Sequence, residues 1–354
     1  MPASRIRVLI VDDSALMRQM LQAVLSSDPA IEVIGTAPDP LVAREKIKSL
    51  NPDVLTLDVE MPRMDGLAFL EKLMTLRPMP VVMVSSLTER GAEVTMKALE
   101  LGAVDVFCKP TDAGGLAAHS RELIDKVKSA AIARIRPLGD RPHTHTRLAV
   151  TTIYKSTDRL VAIGSSTGGV EALRDIVVEL PPDSPPVVIT QHIPPKFSAS
   201  FALRLDGMSA VRVKEAQDGE RLVAGHVFIA PGDKHLAVRR SGAQLIAHVY
   251  DGPLVSGHKP SVNVLFHSVA EACGAKAVGV ILTGMGRDGA EGLLAMRQAG
   301  AATLGEDESS CVVYGMPKAA YELGGVEREL PLSRIAEEIL RLCRADSEAG
   351  RNER

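Results

Sequence analysis

Short, unbroken β-branched runs alternate with amphipathic stretches along most of the chain, and no other feature restricts the fold as much. Ile6–Val11, Val33–Ala37, Val54–Leu57, Val81–Val84 and Val104–Phe107 are too short for helices and lack polar alternation. Each therefore reads as a strand covered on both faces. Between them, Leu16–Leu25, Leu41–Leu50, Leu67–Leu76 and Glu93–Leu101 repeat apolar residues with a helical period. This predicts an α/β domain with a doubly wound, flavodoxin-like sheet over residues 1–127. The pattern then lapses through Arg134, Arg136, Pro137, Gly139 and Pro142, which predicts a linker over 128–157. Alternation resumes at Leu160–Ile163 and continues through Val187–Thr190, Val211–Val213, Val227–Ala230, Leu245–Val249 and Val278–Leu282. Helical patterns lie at Val170–Leu180, Val262–Cys273, Ala290–Ala299 and Ile335–Leu342. A second α/β domain with a largely parallel sheet is expected over 158–347, with a hairpin around Ala237–Val249.

Composition narrows the functional classes. The 354 residues are enough for two domains, and 45% apolar with 24% charged residues is a globular balance. A formal net charge of −3 and 3% aromatic residues leave neither the basic face nor the stacking platforms that nucleic acid requires. Cys108, Cys273, Cys311 and Cys343 are far apart and form no C-x-x-C pair. That argues against a zinc site or disulfide framework and suits a reducing compartment. His143 and His145 lie in the polar linker, where solvated side chains are a simpler reading than metal ligands. No apolar run nears the ~18 residues of a membrane span. Met1–Arg5 leads into a strand without an apolar leader. A cytoplasmic monomer, not inserted in a membrane, is expected.

Polar residues stand at the ends of the predicted strands. Asp12 and Asp13 close the first, Asp58 the third, Ser85 and Ser86 the fourth, and Lys109 the fifth. In a flavodoxin-like order these ends converge on one crevice at the topological switch point. Carboxylates gathered there repel one another, and a hard cation such as Mg²⁺ relieves this. One carboxylate can then accept a phosphoryl group, with Lys109 and the metal countering its charge and the Ser85 hydroxyl donating to it. Taken singly, each residue has an ordinary reading: Asp13 or Ser14 as a helix cap, Asp58 as a turn residue. The runs LIVDDSALMR, LDVEMPRMDGLAFL and VVMVSS, with Lys109-Pro110, resemble the receiver domain of response regulators over residues 5–127. The resemblance implies Asp58 as phosphoacceptor and Asp12, Asp13 and Asp58 as metal-site acids. It also implies Ser85 as switch hydroxyl, Lys109 as the lysine on the phosphate, and a histidine kinase as phosphodonor.

A different constellation marks the second half. Leu160–Ile163 runs into Gly164-Ser165-Ser166-Thr167-Gly168-Gly169 ahead of a helix, a G-x-S-x-G turn that can lift a nucleophile above a sheet. A phosphate cradle or a plain packing turn fits the same glycines, although neither G-x-G-x-x-G nor a following Lys is present. His192 follows the strand Val187–Thr190 and can serve as base to Ser166. Asp288 follows Val278–Leu282 and can orient His192, or cap the next helix. The Thr167 N–H can hold an oxyanion. This chemistry requires no cofactor.

GSSTGG, TQHIPPKF, FIAPGDKHL, SGHKPSVNVLF, ILTGMGRDGAEGL and SCVVYGMPKAA resemble the catalytic domain of the chemotaxis protein-glutamate methylesterases, the CheB family. With the receiver, the resemblance spans nearly the whole chain. It implies Ser166, His192 and Asp288 as triad and the Met285 N–H as a second oxyanion donor. Substrates would be methylated glutamates of methyl-accepting chemotaxis receptors, with deamidation of receptor glutamines as a related activity. Ser165, Asn263 and Glu306 depart from the family's Ala, Asp and Gln. Coupling is expected through a receiver that blocks the triad until Asp58 is phosphorylated. The alternative is a phosphorylation-dependent binding adaptor with an inactive hydrolase half.

Overall fold

A computed structural model describes residues 5–61, 66–85, 89–109, 119–135 and 159–344. The chain divides into two compact units, Met1–His143 and Thr144–Arg354. His143, His145 and most of the expected linker lie outside the described residues.

The first unit runs β1 (Ile6–Val11), α1 (Ala15–Ser26), β2 (Ile31–Ala37), α2 (Pro40–Leu50), β3 (Val54–Asp58), α3 (Gly66–Leu76), β4 (Val81–Ser85), α4 (Glu89–Glu100), β5 (Asp105–Cys108) and α5 (Ser120–Ala131). Its strands are all parallel, in the order β2-β1-β3-β4-β5. This is the doubly wound order expected, and it puts the ends of β1 and β3 side by side at the switch point. The last helix extends past the expected boundary at 127, because Val127 and Ala130 are both fully buried.

The second unit holds β6 (Leu160–Ser165), α6 (Gly169–Val177), β7 (Val187–Gln191), α7 (Phe197–Met208), β8 (Arg212–Glu215), β9 (His226–Ile229), β10 (His235–Ser241) and β11 (Gln244–Tyr250). It continues with α8 (Val262–Cys273), β12 (Ala277–Ile281), α9 (Ala290–Gln298), β13 (Ala302–Glu306), α10 (Met316–Glu322), β14 (Arg328–Leu330) and α11 (Leu332–Arg344). Seven strands form one parallel sheet in the order β14-β13-β12-β6-β7-β9-β8. The expected hairpin is present, but β10 and β11 form a separate antiparallel sheet. Leu236, Val238 and Ala247 of the hairpin join Leu265 and Val269 of α8 in the core. The chain enters this large sheet at β6, moves outward through β7, and returns on the other side at β12. The switch point therefore lies at the carboxyl end of β6, flanked by the loops after β7 and β12.

Candidate active site

In the receiver unit the predicted residues do meet. Asp12, Asp13 and Asp58 bring carboxylate oxygens within 4.8 Å of one another. Lys109 Nζ lies 2.9 Å from Asp12 Oδ2 and 2.6 Å from Asp58 Oδ2. Burial pushes the Asp58 carboxyl up to about 6, with the Lys109 ammonium pulling the other way and Asp12 adding to the rise. Burial also works against the charge on Lys109, but the two carboxylates hold its pKa above the ordinary value. Ser85 is fully buried at the end of β4. Capping of α1 falls to Ser14, whose hydroxyl accepts the Met17 N–H, which leaves Asp13 exposed beside the cluster. Asp12 Oδ2 and Asp58 Oδ2 are buried with the Lys109 ammonium between them, and Asp13 adds a third carboxylate within 4.8 Å. A hard divalent cation is the partner that such a donor set fits.

In the second unit, β6 and β7 pair in parallel with Ser165 opposite Gln191, so Ser166 and His192 leave neighbouring strands at the same level. The ladder continues one step further, with the His192 N–H donating to Ser165 O at 3.1 Å. Gln191 ties the two exits together: its Nε2 donates to Ser166 O at 2.8 Å and to His192 O at 3.1 Å. Its Oε1 accepts from the Ser165 hydroxyl at 2.6 Å. Ser165, whose hydroxyl confuses the motif, is thus fully buried and engaged, whereas Ser166 is partly exposed. The turn differs from a strained elbow. Among the described residues, Ser166 is not at positive φ; Gly168 is, at 79°, as N-cap of α6.

From the other side, the segment after β12 presses against Ser166. The Ser166 N–H donates to Thr283 O at 3.0 Å, and the Thr283 hydroxyl donates to Thr167 O at 2.9 Å. Gly284 is confined there, since a Cβ would lie 2.8 Å from Ser166 Cβ and 2.4 Å from Met316 Sδ. Thr167 is buried on one side of Ser166, and Met285 is partly buried next to Gly284.

Asp288 is wholly buried and accepts from four donors. Oδ2 takes His192 Nε2 at 2.9 Å and the Val262 N–H at 2.7 Å. Oδ1 takes the Ser261 hydroxyl at 2.8 Å and the Asn263 N–H at 3.1 Å. Val262 and Asn263 open α8, so the carboxylate sits on the positive end of a helix. Burial alone would raise its pKa, but the His192 bond and charge, with the two amides, hold it below the usual range. An acceptor at Nε2 puts the ring proton there, leaving Nδ1 as the basic nitrogen. Nδ1 is buried and has no hydrogen-bond partner. The structure joins His192 directly to Asp288; it brings Ser166 to them through backbone and Gln191, not through a hydroxyl–imidazole bond.

The CheB methylesterase family model matches residues 161–339, and the response regulator receiver domain model matches residues 8–121. A protein-glutamate methylesterase/protein-glutamine glutaminase of Salmonella typhimurium is 56% identical over 344 residues, covering 95% of this chain and 97% of that one. The chain belongs to the CheB methylesterase family. A second relative, protein-glutamate methylesterase/protein-glutamine glutaminase 2 of Cupriavidus pinatubonensis, is 54% identical, covering 96% of this chain and 96% of its own. Among solved structures, the Thermotoga maritima CheB methylesterase catalytic domain matches with a TM-score of 0.51 at 39% identity. It covers 53% of this chain and 99% of that domain.

Two departures from the CheB pattern acquire a physical setting. Asn263 uses both ends of its amide, accepting the Gly292 N–H at 2.8 Å and donating to Ser256 Oγ at 3.0 Å. Glu306 is wholly buried and accepts the Thr283 N–H at 2.8 Å, behind the segment that touches Ser166. Burial pushes its carboxyl up to about 7 from 4.5, against the lowering pull of the Thr283 amide. Between those values the folded chain keeps a proton that the unfolded chain releases. Stability is therefore full below pH 4.5 and is lost as pH rises through 7, by about 3 kcal/mol. Glu306→Gln, which carries no charge, is expected to melt roughly 5–10 °C above the parent at pH 8. The gain should shrink towards zero at pH 5. Equal melting differences at the two pH values would refute the assignment.

Gln191, Ser261 and Thr283 lie inside the runs TQHIPPKF, SGHKPSVNVLF and ILTGMGRDGAEGL but are not singled out there as site residues. Each is a buried polar side chain near a strand or helix end, and its place in those runs is the signal the sequence offers.

Proposed function

We propose that this chain is a phosphorylation-controlled serine esterase. It removes methyl groups from glutamate side chains of methyl-accepting chemotaxis receptors, and deamidates receptor glutamines by the same chemistry. The observation that carries the reading is the imidazole of His192, held by Asp288 at Nε2 with a bare, basic Nδ1 on the side chain that leaves the sheet level with Ser166. The names of the relatives support the substrate class.

His192 Nδ1 takes the hydroxyl proton as Ser166 Oγ attacks the ester carbonyl. The N–H groups of Thr167 and Met285 hold the oxyanion, and Asp288 stays ionised against the imidazolium. The C–O bond to methoxide breaks, His192 protonates the leaving oxygen, and methanol departs. A water molecule, deprotonated by His192, then cleaves the acyl-enzyme and frees the glutamate carboxylate. With glutamine the same steps release ammonia. Hydroxyl–imidazole bonds of this kind commonly close only around substrate. All three side chains come from one chain, so a monomer suffices.

In the receiver, Asp12, Asp13 and Asp58 are the residues that would hold Mg²⁺, which when bound offsets the charge of an incoming phosphate. Asp58 accepts the phosphoryl group from a histidine kinase. Lys109 exchanges its carboxylate partner for the phosphate, and Ser85 donates to it. The consequence proposed is relief of receiver inhibition. Among the described residues no helix is long and apolar enough to cross a membrane. Substrates on the cytoplasmic bundle of receptors put this work in the cytoplasm.

Methanol release from methylated receptor membranes tests the proposal. The intact chain is expected to release methanol, at least ~10-fold faster with Mg²⁺ and a small phosphodonor such as acetyl phosphate. In Asp58→Asn the acceleration should vanish. A chain that releases no methanol under either condition, yet binds receptor on phosphorylation, would be the adaptor instead.

A further inference from the structure

The catalytic imidazole has a neighbour that the triad does not use. The ring of His258 lies flat on that of His192, with centroids 3.8 Å apart and planes 9° from parallel. We propose that His258 is a positioning residue for the esterase reaction, a flat wall that fixes the plane of the His192 ring. This rests on the triad reading above.

One hydrogen bond locates a ring nitrogen but does not fix the ring. An imidazole held only at Nε2 can swing about the Nε2···Oδ2 line, because carboxylate acceptors tolerate a broad range of approach. Swinging moves Nδ1, the atom that must meet the Ser166 hydroxyl. A parallel ring at contact distance removes that freedom, and the offset of a single ångström can cost ~10²-fold in rate.

His258 is itself tied down, and to the same reference point. Val255 and His258 exchange two backbone hydrogen bonds, of 3.0 and 2.9 Å, closing a two-residue turn on Ser256 and Gly257. Both central residues have positive φ, 54° and 83°, which suits Gly257 but not Ser256. Ser256 is held there by the Asn263 amide, which donates to its hydroxyl at 3.0 Å. The backbone N–H of the same Asn263 donates to Asp288 Oδ1. Asp288 therefore anchors His192 through Oδ2 and, by way of Asn263 and the turn, the ring that faces it. The departure at position 263 belongs to this path: its amide has a donor to spend on Ser256, which a carboxylate lacks.

Steady-state methanol release and thermal melts, on the full chain with phosphodonor, decide the matter. His258→Ala is expected to lower kcat by ~10–100-fold with KM within about twofold. His258→Phe keeps the flat face and should recover kcat to within about threefold. Wild-type kcat in a folded His258→Ala overturns the proposal. So does a His258→Phe no better than alanine, or a defect confined to KM, which would make His258 a substrate contact. If the alanine variant does not fold, kcat of His258→Phe decides alone. Ser166→Ala runs beside them: turnover retained there sinks the triad reading, whereas turnover lost there with His258→Ala at full rate sinks only the wall.

Discussion

Ser166→Ala is expected to lower methanol release by on the order of 10⁴–10⁶-fold, to whatever rate the oxyanion donors and substrate binding sustain without a nucleophile. The adjacent serine cannot take over. Ser165 is the last residue of β6, fully buried, and its hydroxyl is committed to Gln191 at 2.6 Å. To reach a substrate it would have to leave the strand and abandon the amide that holds both Ser166 and His192. The expected fall is therefore steep, without a partly active shoulder from a neighbouring alcohol. Folding should be untouched, since among the described residues no hydrogen bond uses the Ser166 hydroxyl; its backbone groups carry the contacts with Thr283, Gly169 and Gln191. Rates in a matched pair of purified chains, with equal melting temperatures, check this. A loss under tenfold would place the nucleophile elsewhere.

Asp288→Asn is expected to cost about 10⁴-fold in kcat. Four donors aim at this carboxylate, two on each oxygen. An amide has one oxygen to offer. If it faces His192 and the Val262 N–H, the NH₂ group meets the Asn263 N–H, a buried donor against a donor. If it faces Ser261 and Asn263, the NH₂ group meets the Val262 N–H and donates to His192 Nε2. The ring proton then moves to Nδ1, and the base is lost. The first arrangement preserves some chemistry and the second almost none. Either leaves a buried donor unpaired, at a cost of about 1–3 kcal/mol. The variant should thus melt lower as well as turn over slowly, unlike Ser166→Ala. Tautomer assignment of His192 by ¹⁵N NMR separates the two arrangements, and a variant with near-parental kcat would remove Asp288 from the mechanism.

The parts of this architecture that announce themselves in the sequence share one property: their signal is local. Val54–Asp58 and Val81–Ser85 are runs of β-branched and large apolar residues, and a carboxylate or hydroxyl directly after such a run marks a strand end. Ser166 and His192 directly follow strands in the same way, whereas Asp288 is marked by the glycine-rich turn after β12. Ala302–Glu306 is not legible, because Ala, Gly and Glu make a weak strand pattern and its place beside β12 compels it to extend. Arg328–Leu330 has three residues and no pattern at all. Two helices, Phe197–Met208 and Met316–Glu322, escaped for related reasons. The first has serines and a glycine in its span, and the second is only two turns long. The hairpin was visible, but its separation from the large sheet depends on packing against α8. Within the site, what stayed hidden was the relation between distant residues. Nothing in the loop Ser256–Lys259 says that its histidine will lie on another sixty-six positions earlier.

The order of strands in the larger sheet has a consequence for how activity arises during synthesis. The alcohol and the imidazole leave adjacent strands near the start of the second unit, but their carboxylate arrives only after the chain has travelled outward, built a hairpin and come back to β12. A ribosome-bound fragment ending before that return would carry a nucleophile and a base without the group that sets the proton on the correct nitrogen. Recovery of turnover on refolding should therefore lag the first gain of helical signal.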